Sequence, residues 1–158
     1  MLLTGCAGYH LGSVQPHFME GIHSIAIPTF RNATLNPNIE VLATDTVIRQ
    51  FQEDGTYKVA SSLDTADAVL EGEIMQVNRT PSRSVISDVQ ATQEFNMSLI
   101  IHYTVKRKAT GEIVDDKNVI GSTSFFVSGD VNQDEIQAVP LAAQNAAVQI
   151  IRELAEGW

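Results

Sequence analysis

The sequence predicts an α+β fold, a two-layer sandwich in which two helices pack on one face of a mostly antiparallel sheet of four to five strands. Two patterns indicate this arrangement. Residues 95–105 carry an apolar side chain at every second position, as a half-buried strand does. Residues 39–51 and 136–154 instead carry apolar side chains at helical spacing. We therefore expect helices to cover one sheet face and to leave the other, which we call the wet face, exposed to solvent.

The composition is that of one globular domain. The chain has 158 residues, of which 44% are hydrophobic and 18% are charged, so it can bury a core without disulfides. Its formal net charge of −9 repels phosphate, which excludes nucleic acid as a partner. The longest apolar segments, residues 97–103 and 138–151, are too short or too interrupted by polar residues to span a bilayer.

The first part of the chain predicts a strand–helix–strand unit. Residues 24–28 form a short apolar run closed by Pro28, which indicates a strand, and residues 29–34 form a polar loop. Residues 57–60 indicate a second short strand. A helix that connects two such strands predicts a right-handed βαβ unit with the strands parallel.

The helix of this unit has signals at both ends. Asn36 is placed to cap the N-terminus, with Pro37 at the first helical position. The pair Asp54-Gly55 predicts the end, because glycine readily adopts the left-handed conformation of a helix C-cap. The side chains expected to face the core are Ile39, Leu42, Ala43, Thr46, Val47 and Phe51.

Three long strands follow. Residues 66–80 predict the first, and the alternating segment described above is the second, with His102 and Thr104 on its wet face. Thr110-Gly111 makes a tight turn into the third strand, residues 112–127. These strands form an antiparallel sheet in sequence order.

Residues 133–156 predict a closing helix. Pro140 lies in its first turns, so we expect a kink or a split there. The small alanine side chains on its apolar stripe allow close approach to a sheet. The stripe comprises Ile136, Val139, Ala143, Ala147, Ile150 and Leu154, with Ala146 and Ile151 beside it.

Cys6 ends a segment, Leu3-Thr4-Gly5-Cys6, that has the form of a lipobox: an aliphatic residue, two small residues and cysteine. Signal peptidase II needs small residues before the bond that it cleaves, and the thiol then carries a diacylglycerol thioether. We therefore predict that Cys6 is lipidated. The alternative is a lone buried or inert thiol.

This prediction divides the chain into three parts. Residues 1–5 are the remainder of a signal peptide and lipobox, residues 6–22 are a lipid-anchored tether, and residues 23–158 are a single α+β sandwich domain. A complete signal peptide has a basic region and an apolar region of about 7 to 15 residues. Since only Met1 to Gly5 precede the cysteine, we expect that the gene starts further upstream or that the chain has been trimmed.

No pattern indicates catalysis, a metal or a cofactor. The histidines lack the spacing of metal ligands, and the sequence has no cysteine pair. No G-x-S-x-G elbow and no other nucleophile–base spacing occurs. The acidic pairs have structural explanations, because Asp115-Asp116 keeps a sheet edge soluble and Asp134-Glu135 complements a helix dipole. We predict that the protein is not an enzyme.

Two basic groups lie at opposite ends of the long strands. Arg79 and Arg83 are placed at the loop joining the first two long strands, and residues 106–108 lie beside the Gly111 turn. A strand of roughly twelve residues, at about 3.3 Å per residue, separates the groups by about 40 Å, so they form two patches. Each patch is a candidate surface for an anionic lipid or a partner, with ordinary solvated strand ends as the alternative.

Five segments carry a resemblance to a known family. A Gly-Tyr-His sequence follows close after Cys6, and residues 27–34 read Ile-Pro-x-Phe-x-Asn-x-Thr. Together with the other segments, these resemble the lipopolysaccharide-assembly lipoprotein family (LptE-like) over nearly the full length. The segments are residues 6–12, 25–34, 39–40, 66–72 and 156–158.

The resemblance implies an α/β sandwich anchored by acyl chains to the periplasmic face of the outer membrane. It implies that the domain plugs a large β-barrel translocon, supports assembly of that barrel and contacts lipopolysaccharide. Basic residues at the tip of the sheet are expected to meet the lipid, and only Arg79 and Arg83 are placed for that role. Two alternatives remain: a periplasmic lipoprotein that activates another envelope machine, such as a cell-wall synthase, and a small hydrolase.

Overall fold

The computed structural model describes residues 16–83, 93–127 and 131–157. These residues form six strands and two α-helices, together with short 3-10 turns at His17–Met19 and Leu63–Thr65. In chain order the elements are β1 (Ser24–Ala26), β2 (Arg31–Asn32), α1 (Ile39–Asp54), β3 (Lys58–Val59), β4 (Ala68–Arg83), β5 (Gln93–Arg107), β6 (Ile113–Val127) and α2 (Val131–Glu156).

The strands form one mixed sheet with the order β3-β1-β4-β5-β6, and β2 lies beside β4 further along that strand. The long strands β4, β5 and β6 are antiparallel, whereas β1, β2 and β3 are parallel to their neighbours. The predicted α+β fold, with two helices packed on a sheet, is confirmed, with one more strand and more parallel pairing than predicted. At two residues, β2 is too short to show a period in the sequence.

The predicted strand–helix–strand unit is present, since β1 and β3 pair in parallel with α1 between them in the chain. The helix ends as predicted, because Gly55 is left-handed and its N–H donates to the Phe51 carbonyl. The helix begins later than predicted, because Asn38 rather than Asn36 precedes its first residue. The carbonyl of Asn36 accepts a hydrogen bond from the Asn32 side-chain amide. Loop contacts across residues 32–36 therefore override the local capping signal.

The alternation in β5 is confirmed, because its apolar odd-numbered residues from Met97 to Val105 are buried. In β4 the buried positions are even-numbered up to Ile74, and a register shift follows at Met75. This bulge adds one residue, so odd-numbered side chains of β4 face the helices from Val77 onward. Arg79 therefore lies on the helix side of the sheet rather than on the wet side.

Helix α2 is continuous through Pro140, so the split that the sequence allowed does not occur. Its alanines pack close to the sheet, and a Cβ added at Gly121 of β6 would lie 1.9 Å from the Ala142 carbonyl oxygen. The stripe prediction is wrong at Ile136, which is 58% exposed. Ile136 instead lines a groove between the first turns of the two helices. No helix in the described ranges is both long and apolar enough to cross a membrane.

Candidate functional site

The two ends of the sheet are formed by different elements. We call the end formed by the last residues of β4 and β6 and the first turns of α2 the distal end. The opposite end, at the turn between β5 and β6, is the proximal end. Residues 16–22, which we call the strap, pack at the proximal end with Met19 and Ile22 fully buried. The Arg107 guanidinium donates to the Phe18 and Glu20 carbonyls and holds the strap there.

Arg79, a predicted lipid-contact residue, lies towards the distal end, opposite Met97 of β5. Its Nη1 is 2.8 Å from Oε2 of Glu135 on α2, and its guanidinium lies over the Phe95 ring, 5.5 Å from the centroid. The side chain is 38% exposed. The ring and the carboxylate therefore fix Arg79 and compensate its charge, while one side of the guanidinium still meets solvent.

The other two predicted site residues are not fully described. Arg83 is the last residue of β4 and pairs in register with Glu94, but its side chain lies outside the described residues. Cys6 also lies outside them. The lipidation of Cys6 and a lipid contact by Arg83 therefore stay predictions.

The basic residues at the proximal end have internal partners. Lys106 Nζ lies 2.5 Å from the Glu71 carboxylate, and Lys108 Nζ lies 2.5 Å from the Leu63 carbonyl oxygen. Arg107 holds the strap, as described above. Met97, opposite Arg79, is nine residues from Lys106, which at about 3.3 Å per residue separates the two basic groups by about 30 Å. They are separate patches, and the proximal one stabilises the fold.

A groove opens between the first turns of the two helices, beside the Arg79–Glu135 pair. It has a volume of about 250 Å³ and mixes apolar walls with the Glu135 carboxylate. The sequence analysis missed it, because it forms between residues about one hundred positions apart. Its lining residues are Asn36, Pro37, Ile39, Leu42, Glu135, Ile136 and Val139.

The wet face of the sheet carries charged residues towards the proximal end and the exposed Ile120 in its middle, and its last distal rung carries Glu94 and Phe126. Towards the proximal end it carries ion pairs such as Arg31–Glu73, and His102 lies 3.5 Å from Asp116. Towards the distal end two rungs cross β4, β5 and β6 with small polar side chains and no charge. We call these six residues the polar face: Asn78, Ser98, Ser122, Thr80, Asn96 and Ser124.

Two buried tyrosines make short hydrogen bonds, one to α2 and one between β5 and β6. The Tyr57 hydroxyl donates to the Leu154 carbonyl at 2.5 Å, and burial raises the pKa of this phenol to about 12. The Tyr103 hydroxyl donates to Asp115 at 2.6 Å, and burial together with that carboxylate raises its pKa well above the usual range. Asp115 therefore accepts a hydrogen bond from a buried tyrosine, whereas the sequence analysis explained this residue only by the solubility of a sheet edge. Both phenols stay protonated donors at physiological pH.

The Ile-Pro-x-Phe-x-Asn-x-Thr segment has a structural role. The Phe30 N–H donates to the buried Thr44 hydroxyl at 2.9 Å. The Asn32 amide bonds the Asn36 carbonyl and the Glu40 carboxylate, and its oxygen accepts bonds from Thr34. These bonds fix the turn from β2 into α1. Within the described ranges, no three His, Cys, Asp or Glu side chains are placed to hold a metal ion.

The model of the family described as LptE, lipopolysaccharide-assembly, matches residues 22–156. The chain belongs to this family. The match starts within the strap and ends at the last residue of α2, so it covers the whole packed body. Lipopolysaccharide-assembly proteins of this family are accessory lipoproteins that are not known for catalysis. No curated protein matches the sequence.

Solved structures with the same fold are distant in sequence. The hypothetical protein CT253 from Chlamydia trachomatis has a TM-score of 0.57 at 12% identity, over 87% of this chain and 99% of that one. Protein XCC0632 from Xanthomonas campestris has a TM-score of 0.55 at 13% identity, over 85% and 86% of the two chains. The PelC dodecamer from Paraburkholderia phytofirmans has a TM-score of 0.50 at 12% identity, over 84% and 87%. These similarities establish the fold alone.

Proposed function

We propose that this lipopolysaccharide-assembly protein is moored to the outer membrane by acyl chains on Cys6, plugs a β-barrel lipopolysaccharide translocon and assists its assembly. Family membership supports the role in lipopolysaccharide assembly. The observation that carries the proposed plug is the polar face, two neighbouring rungs near the distal end that carry only small uncharged polar side chains.

The position of the strap suits a mooring at the proximal end. A segment of ten residues from Cys6 to Pro16 spans at most about 35 Å. The proximal end therefore stays within this distance of the lipid, and strands of fifteen residues place the distal end about 50 Å beyond it. Each methylene of an acyl chain that is buried in the bilayer contributes about 0.8 kcal/mol to the free energy of membrane binding. A multiply acylated cysteine therefore holds the protein at the membrane without a spanning helix.

The chemistry of the polar face suits the lumen of a large barrel. Interiors of such barrels are polar. Serine, threonine and asparagine can donate and accept hydrogen bonds, either directly or through water, at no cost of desolvating a charge. A charged surface buried against the same wall would need a matching charge at each position. The polar face is therefore the part of the sheet that we place in the lumen.

Contact with lipopolysaccharide is the second clause of the proposal, and it rests on Arg79 and Arg83. A guanidinium can bind a lipid phosphate with two parallel hydrogen bonds. Arg79 already donates to Glu135, so a phosphate must share its guanidinium or displace that carboxylate. We therefore expect the protein to bind lipopolysaccharide with a modest affinity that depends on the Arg79–Glu135 ion pair.

Recovery of a β-barrel with the lipidated protein tests the plug. After extraction of cells in mild detergent, the full chain should co-purify with a large β-barrel, and Cys6→Ala should leave the membrane fraction. A Ser122→Asp, Ser124→Asp double variant places two charges on the polar face and should lower barrel recovery about tenfold or more. Ser61→Asp with Ala109→Asp adds the same charge at exposed loops and should leave recovery unchanged.

The same experiment can reject the proposal. Recovery of peptidoglycan synthases instead of a barrel would support the alternative, an activator of a cell-wall machine. Equal barrel recovery from the polar-face variant and its loop control would remove the polar face from the interface.

A further inference from the structure

The two long edges of the sheet are closed to different extents. On β6, the middle of the edge is capped by two amide side chains of α2. Gln149 Nε2 donates to the Ile120 carbonyl at 2.8 Å, and the Ser122 N–H donates to Asn145 Oδ1 at 3.1 Å. The two amides also bond each other at 3.1 Å. Side chains that bind an edge backbone in this way block another strand from pairing there.

The edge of β4 is closed only over its first half. β1 pairs with Ala68 and Val69, and β2 pairs with Glu73 and Ile74. The final bond along this edge runs from the Ala33 N–H to the Ile74 carbonyl at 3.0 Å. From residue 76 to residue 83, β4 pairs with β5 on its other side, and no other strand of the described ranges lies beside it. We call residues 76–83 the open edge.

The open edge presents backbone groups that can form a ladder. In a strand, N–H and C=O groups point alternately to the two sides, so about half of those in the open edge point away from β5. Pro81 has no N–H and interrupts the row, which is a common feature of edge strands. The continuous part therefore runs from Gln76 to Thr80, enough for a short added strand.

We propose that the open edge receives an extended, acidic segment of the barrel partner as an added strand. The inference rests on the proposed function for the identity of the partner. Charge favours an acidic occupant: the open edge contains Arg79 and Arg83 and no acidic residue, although the whole chain has a net charge of −9. Arg79 already binds Glu135, so a carboxylate of the occupant would share the side of its guanidinium that meets solvent. Backbone bonds supply affinity in such strand addition, and the side chains supply specificity.

A second copy of this chain fits the open edge poorly. Antiparallel pairing of two open edges would place four arginines along a short ladder to which neither edge adds an acidic residue, and only the two Arg79 side chains would have a carboxylate partner, Glu135. Like charges on facing strands are destabilising. A carboxylate-bearing strand offers the opposite sign at the same positions.

The test uses photo-crosslinking in living cells with the full, lipidated chain. A benzophenone side chain is placed at Gln76 on the open edge or at Ile120 on β6. Both residues are exposed, lie on the same rung of the sheet and lie outside the polar face, so Ile120 is a matched control at the opposite edge. We expect several-fold more barrel adduct from Gln76, mapped by mass spectrometry to a segment rich in Asp or Glu.

Strand pairing has a signature that simple proximity lacks. Adducts from Gln76 and from Asn78 should map to partner residues two positions apart, since alternate residues of paired strands share a face. Those backbone amides of residues 77–80 that point away from β5 should also exchange hydrogen about tenfold or more slowly in the purified complex than in the free protein.

Each contrary outcome is distinct. Barrel adducts from Ile120 but not from Gln76, or no adduct from Gln76, overturn the open-edge proposal while co-purification of a barrel leaves the proposed function standing. Adducts from Gln76 to a second copy of this chain or to a synthase overturn the barrel as occupant. Failure of any barrel to co-purify removes the proposed function itself.

Discussion

The ring of Phe30 packs directly on the backbone of Gly72, so that a Cβ built at Gly72 would lie 2.6 Å from a ring carbon. Phe30 belongs to the loop between β1 and β2, and Gly72 lies in β4 just before its pairing with β2. The contact therefore joins two segments that carried the resemblance to the family. It explains both residue types at once: the ring fills the space that the missing side chain leaves.

Gly72→Ala should destabilise the protein by about 1–3 kcal/mol, because the buried Phe30 ring must move to make room. Urea unfolding followed by circular dichroism measures the change. In a double-mutant cycle, Phe30→Leu should relieve part of the clash, so the cost of Gly72→Ala should be smaller in that background. Equal costs in both backgrounds would show that the ring is not the obstacle.

Gly121→Ala should be more damaging than Gly72→Ala. At Gly121 the new Cβ would lie 1.9 Å from the Ala142 carbonyl oxygen, and helix backbone yields less readily than a side chain. We expect a loss of about 3 kcal/mol or more, or failure to fold, measured by the same unfolding experiment. Ser122→Ala, whose side chain is exposed on the polar face, is the control and should change stability by less than about 0.5 kcal/mol. A loss equal to that of Ser122→Ala would contradict the close helix–sheet contact.

The sequence predicted the long elements because each has a period that burial of one face imposes. The alternation ending at Val105 and the glycine at position 55 each reflect local structure, and both predictions are confirmed. It did not predict β2 or the bulge at Met75, and it left open whether the last helix splits at Pro140. Those features depend on contacts with distant parts of the chain, which no local pattern records.

The same distinction applies to the candidate site. The sequence placed Arg79 at the distal end, but its partner Glu135 lies fifty-six residues away. The bulge at Met75 decides which sheet face Arg79 occupies, and a two-residue alternation carries no sign of a bulge. The open edge could not be predicted either, because it depends on where β2 stops.

Stability should depend on pH through Asp67. Its carboxylate accepts bonds from the His23 N–H and from the N–H and hydroxyl of Ser24, which hold its pKa below the usual range. A lowered pKa in the folded state stabilises the protein above the unfolded value of about 3.9, and this contribution is lost as pH falls through the folded value. Asp67→Asn should therefore lower Tm at pH 7, and this loss should become smaller as pH falls below about 3.9.

Thermal unfolding across this pH range measures the Asp67 effect. Asp45→Asn, at an exposed position of α1, is the control and should change Tm little. A loss for Asp67→Asn that is the same at pH 2 and pH 7 would show that the charge of this carboxylate is not the cause.

Neutralising Glu135 should strengthen lipopolysaccharide binding if Arg79 contacts the lipid phosphate. Glu135→Gln removes the competing charge, and we expect an increase in affinity of about two- to fivefold, as for a partly exposed ion pair. Arg79→Gln should weaken binding, and the double variant should match Arg79→Gln because the effect of Glu135 acts through the arginine. Titration of the detergent-solubilised lipoprotein with labelled lipopolysaccharide measures all three. Unchanged affinity in every variant would remove Arg79 from the lipid contact.

Arg107 should control how far the body can move from its lipid anchor. Arg107→Met keeps an aliphatic stem but removes the donors to the Phe18 and Glu20 carbonyls, at a cost of about 1–3 kcal/mol. If the strap detaches, its seven residues add about 23 Å to the reach from Cys6. Hydrogen exchange of residues 18–22 should then accelerate, whereas Lys108→Met, which removes bonds to Leu63 and Asp64, should leave it unchanged. Slow exchange in both variants would mean that burial of Met19 and Ile22 holds the strap without the arginine.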